Sequence, residues 1–94
     1  VALLGKEPIS IPQGVSAIAF SGHKIHAPKG IGLAIVRQRL PLVEQITGGA
    51  QEGGRRAGTE NLGGILALAK AIELLESEQP AAMARMERLR DQLE

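Results

Sequence analysis

Lys24 stands between His23 and Ile25 in the stretch Phe20-Ser21-Gly22-His23-Lys24-Ile25-His26-Ala27-Pro28-Lys29-Gly30. The stretch follows directly on an apolar run, Val15-Ser16-Ala17-Ile18-Ala19-Phe20. An amine held where a strand leaves a core is partly withdrawn from water, which disfavours its ammonium form. That is how a lysine becomes nucleophilic enough to condense with a carbonyl as a Schiff base. The same residues also suit a solvated loop lysine, and spacing alone leaves both readings open.

The elements that must position this lysine follow from periodicity. Val15–Phe20 predicts a buried strand, and Ser21–Gly32 a loop carrying Gly22, Pro28, Gly30 and Gly32. Ile31–Val36 is a continuous apolar run and predicts a neighbouring strand buried on both faces under helices. Ahead of both, Val1–Leu4 closes at the turn signal Gly5-Lys6-Glu7-Pro8, and Ile9–Ile11 predicts a short extended segment.

Thr47–Gly58 is a loop with glycine at 48, 49, 53, 54 and 58. Ordering it costs backbone entropy, so it is expected to be mobile or fixed by something it binds. No Gly-Lys-Ser/Thr follows at the spacing of a phosphate-binding P-loop. A helix is predicted from near Glu60–Leu62, with Thr59 as its N-cap and Glu60 at the positive end of its dipole. Ser77–Gln79 are expected to break it, and Pro80 to open a second helix suited to a first-turn proline. Met83, Met86, Leu89 and Leu93 would line the second helix's packing face.

Composition narrows the classes. The 94 residues hold one aromatic side chain, Phe20, so the core must be built from smaller aliphatic groups. Eleven basic and ten acidic residues leave no field for nucleic acid or an acidic membrane. There is no cysteine, hence no disulfide framework and no thiolate metal site. No apolar run is long enough to span a bilayer, and a cytoplasmic location is expected. The start at Val1, within Val-Ala-Leu-Leu, suggests a piece of something longer.

Three blocks together resemble one family. Ser21-Gly22-His23-Lys24 with Ala27-Pro28-Lys29-Gly30-Ile31-Gly32, then Gly48-Gly49-Ala50-Gln51-Glu52, then Arg55-Arg56-Ala57-Gly58-Thr59-Glu60-Asn61 resemble the cysteine desulfurases of the NifS/IscS type. These are fold-type I pyridoxal-phosphate (PLP) enzymes related to the class V aminotransferases. The resemblance runs from Val1 to about Leu75 and is densest in Ser21–Gly32 and Gly48–Asn61.

It implies an α/β fold, a fragment of the large PLP-binding domain: two or three strands with the lysine loop, then two helices. Residues 1–78 would belong to that domain, and 79–94 would form a helix leading toward a C-terminal small domain. The resemblance makes Lys24 the catalytic residue that holds PLP covalently and moves protons at the substrate α-carbon. Ser21 and His23 would bind the cofactor phosphate, and Thr59 would reach the phosphate held by the other subunit of a homodimer. A strand-end turn residue, a core histidine and a plain helix cap are the rival readings of these three. His26 and Lys29 read as structural, and Arg56 as an electrostatic brace for its loop.

The implied reaction converts L-cysteine to L-alanine and passes sulfur to an acceptor or scaffold protein for iron–sulfur cluster or thio-cofactor synthesis. The family pattern places a pyridine-binding Asp and a ring-stacking His upstream. It places a nucleophilic Cys and a substrate-binding Arg downstream. Residues 1–94 alone are therefore not expected to complete the reaction. Two positions depart from the pattern: Ala2 stands where a Gln is usual, and Gly53 where an Arg often occurs. A selenocysteine lyase, a transaminase or a truncated non-catalytic copy are the alternatives.

Overall fold

The computed structural model of the chain describes residues 4–93, so the departure at Ala2 lies outside the described residues. The two apolar runs form strands, β1 at Ala17–Ser21 and β2 at Gly32–Val36. They pair antiparallel, with Phe20 opposite Leu33 and Ser21 opposite Gly32. Both strands start later than the apolar runs do. Val15 and Ser16 are held instead by Arg37: its Nε donates to the Val15 carbonyl at 2.6 Å, and its backbone N–H to Ser16 at 2.9 Å.

The expectation that β2 is buried on both faces does not hold within this chain. Gly32, Ala34 and Ile35 are exposed, with Ile35 at 45%. The sheet has two strands, and the long helix packs on the connection between them rather than across them.

That helix is α2, Leu62–Asp91. Leu68, Ala71 and Leu75, spaced by three and four, bring one stripe against Ile25, Ala27 and Ile31. Leu4 joins this cluster from the other side. Gly5 takes φ +85°, and a Cβ there would sit 3.0 Å from the Leu75 Cδ1 and 3.2 Å from the Ile25 Cγ2. The Leu4–Gly5 turn is thus fitted directly onto the core.

Two helices were expected beyond Glu60; one continuous helix is found. Pro80 lies inside it, where the ring removes the hydrogen bond to the Glu76 carbonyl. The flanks hold strong helix formers, Glu76, Glu78 and Gln79 before and Ala81-Ala82 after, and they carry the helix past the proline. The Ser77 hydroxyl, donating to the Leu74 carbonyl at 2.9 Å, bonds back to the preceding turn. No helix among the described residues is long and apolar enough to cross a membrane.

The chain is more extended than a self-contained domain of its size. Its radius of gyration is 16.3 Å, against about 12 Å for a globule of this length. Its accessible surface is 7509 Å², against about 5,200 Å² for a compact monomer of this mass. Met86 and Leu89 on the far half of α2 remain 48% and 46% exposed, and Leu93 just beyond its end 90%.

Candidate active site

Lys24 sits on a short 3-10 turn, Gly22–Ile25, that begins where β1 ends. The turn is fixed by its backbone. The Gly22 N–H donates to the Ile31 carbonyl at 2.9 Å, and the Ala27 N–H donates to the Gly22 carbonyl at 3.1 Å. His26 closes the turn in the left-handed region, φ 68°, with its own N–H also directed to the Gly22 carbonyl. A Cβ at Gly22 would lie 2.9 Å from the Ile31 oxygen and 3.1 Å from the Ala27 Cβ, so only glycine fits.

Gly22 and Ile25 point inward and are buried; His23 and Lys24, between them, are exposed. The expected desolvation of Lys24 is therefore not supplied by this chain. A three-residue helical repeat buries the first and fourth positions and turns the middle two outward. Lys24 lines a groove of about 820 Å³ together with Leu4, Gly5, Lys70, Ala71 and Leu75. No ion pair among the described residues involves it. Ser21 stands at the N-cap position of the turn but makes no capping hydrogen bond through its hydroxyl.

The second glycine-rich block is ordered by its own bonds. A short helical turn, α1 at Gln51–Gly54, interrupts the expected loop, with Glu52 and Gly53 in left-handed conformations. The Ala57 N–H donates to the Ile46 carbonyl at 3.0 Å, and Ala57 is 3% exposed. The Gly58 N–H donates to the Gln51 Oε1 at 3.1 Å, and the Arg56 Nη1 to the Gly58 carbonyl at 3.4 Å. Thr59 follows immediately, exposed.

Thr59 does not cap α2, contrary to expectation. Asn61 does, its Oδ1 accepting from the Gly64 N–H at 3.0 Å. Gly64 leaves the space for it, since a Cβ there would meet the Asn61 Nδ2 at 2.6 Å. The helix starts at Leu62, within the expected range, and Asn directly before Leu62 is the signal that marks its cap.

Ser21, His23 and Lys24 are thus grouped on one strand end and its turn, while Thr59 lies on a separate loop leading into α2. Three residues passed over in the sequence hold these elements: Gln51, Arg37 and Asn61. Asn61 was legible as a cap; the other two act across gaps of seven residues or more that no local pattern reveals.

Relatives include a cysteine desulfurase of Nostoc sp. (strain PCC 7120), 46% identical over all of this chain and 24% of the relative. Another is the cysteine desulfurase IscS of Dictyoglomus turgidum, 39% identical over 97% of this chain and 23% of the relative. Among solved structures, a NifS-like protein superposes with TM-score 0.88 at 42% identity, covering 96% of this chain and 25% of that one. The chain therefore spans about a quarter of the length of these proteins. The Aminotransferase class-V profile matches residues 1–94 from end to end, and the chain belongs to that family.

Proposed function

We propose that the chain is the lysine-bearing segment of a PLP-dependent cysteine desulfurase that acts on L-cysteine as a homodimer. The observation that carries this is Lys24, presented outward on a backbone-fixed turn beside an uncommitted serine hydroxyl, in a class-V chain related to cysteine desulfurases. Residues 1–78 would belong to the large domain, and the end of α2 from residue 79 would lead toward the small one.

The donor set suits the cofactor. Ser21 and Thr59 hydroxyls are both free of capping duty, and His23 is exposed beside Lys24. Hydroxyl and imidazole N–H groups are apt donors to a phosphate dianion, and a primary amine is what an aldehyde requires. Bound PLP would supply an electron sink for the carbanion at the substrate α-carbon. Lys24 would hold the cofactor covalently and, once displaced by substrate, take the α-proton on its Nζ. Ser21 and His23 would orient the phosphate from the same chain, and Thr59 from the partner's.

Sulfur would pass to a cysteine thiol, which residues 1–94 do not contain, and from there to an acceptor protein for iron–sulfur or thio-cofactor synthesis in the cytoplasm. The full-length enzyme should absorb in the visible. Borohydride reduction should fix the cofactor on the peptide containing Lys24. Attachment at any other lysine overturns the assignment.

A further inference from the structure

We propose that Gln51 is a positioning residue for Thr59, a proposal that rests on reading Thr59 as a phosphate ligand. The Gln51 Oε1 accepts the Gly58 N–H at 3.1 Å, so a side chain seven residues away fixes the peptide immediately before Thr59. Gly58 has φ +102°, a conformation that side-chain-bearing residues rarely adopt. Arg56 engages the carbonyl of the same residue, and buried Ala57 anchors the segment to Ile46. Thr59 itself makes no hydrogen bond within the described residues.

Gly49 belongs to the same device. A Cβ at Gly49 would collide with the Gln51 carboxamide, and Gly49 is not in the left-handed region. Its missing side chain therefore serves to make room for Gln51 rather than to relieve its own backbone. The loop expected to be mobile or ligand-ordered is held by its own bonds, and among them the Gln51 carboxamide sets the peptide from which the Thr59 hydroxyl projects. A hydroxyl contributes to anion binding in proportion to how well it is pre-oriented.

The test compares PLP with pyridoxal, which lacks the phosphate, in titrations of the full-length apoenzyme. Thr59→Val, Gln51→Met and Gly49→Ala should each weaken PLP roughly five- to tenfold, the worth of about one hydrogen bond. Pyridoxal affinity should stay within about twofold, because the lost contact concerns the phosphate alone. The double variant Gly49→Ala/Gln51→Met should be no weaker than Gln51→Met, since both act through one contact. In the apoenzyme, the Gly58 amide should exchange faster in Gln51→Met than in wild type.

Equal loss of both ligands in Gln51→Met marks general damage and overturns the proposal. So does unchanged Gly58 exchange. PLP binding that falls in Thr59→Val but not in Gln51→Met overturns it too, while leaving Thr59 as a phosphate ligand. An unchanged PLP-to-pyridoxal ratio in Thr59→Val removes that reading, and the proposal with it.

Discussion

The Gly22 N–H and the Ile31 carbonyl, 2.9 Å apart, tie the turn that carries Lys24 to the residue preceding β2. Gly22 thereby continues the ladder begun by Ser21 and Gly32 while its own carbonyl receives the chain from His26 and Ala27. One glycine joins strand to turn.

Replacing it should therefore disturb the site before the rest of the chain. In Gly22→Ala, the added methyl meets a backbone oxygen that cannot retreat without breaking this bond. The expected loss is about 1–3 kcal/mol of stability, read as a lowered Tm of the full-length enzyme. Trapping of the cofactor by borohydride at Lys24 should fall with it. A Tm and trapping yield equal to wild type would show that the turn yields cheaply.

Asn61→Ala removes the α2 cap and should destabilise by about 1 kcal/mol. Thr59→Val should leave stability within about 0.5 kcal/mol, as expected for a surface position without structural bonds. Denaturant titration of the two variants checks the pair. The reverse order would return the cap to Thr59.

Subunit mixing tests whether Thr59 serves its partner. Thr59→Asp places a carboxylate against the phosphate dianion, and Lys24→Ala removes the covalent anchor. Each homodimer should be inactive or crippled. Mixed dimers assembled by subunit exchange contain one site with both native residues if the contact crosses the interface, so up to half of wild-type activity should return. No recovery would place Thr59 in its own chain's site.

Pro80→Ala should restore an N–H to the Glu76 carbonyl and stabilise α2 by as much as about 3 kcal/mol. The amides around residue 80 should exchange more slowly. Unchanged exchange would mean that the helix already compensates for the proline.

Much of this was legible in the residues. The apolar runs marked β1 and β2, the strand-end lysine marked the turn, and the helix start predicted near Glu60–Leu62 marked the beginning of α2. The failures have physical causes. Pro80 suits a helix start by its strong local preference, but the Glu- and Ala-rich flanks outweigh it. The Thr-Glu pair suits a cap at Thr59, but Asn61 stands closer to the helix and Gly64 gives it room. The burial expected of β2 and of Lys24 needs groups beyond the contacts this chain makes with itself. Gln51 was missed because its partner, Gly58, is a backbone group, invisible to any reading of side-chain types.

The antiparallel pairing of β1 with β2 also bears on the order in which the site assembles. Among the described residues, the hydrogen bonds that shape the lysine turn join residues between 20 and 33, and those that shape the Thr59 segment join residues between 46 and 64. Each half closes a loop of low contact order, at a small entropic cost for bringing its ends together. Neither set of hydrogen bonds waits for the other. As the chain leaves the ribosome, the bonds of the lysine turn can close before Thr59 has been made, whereas Ile25 and Ala27 gain their full cover only when Leu68, Ala71 and Leu75 of α2 pack on them.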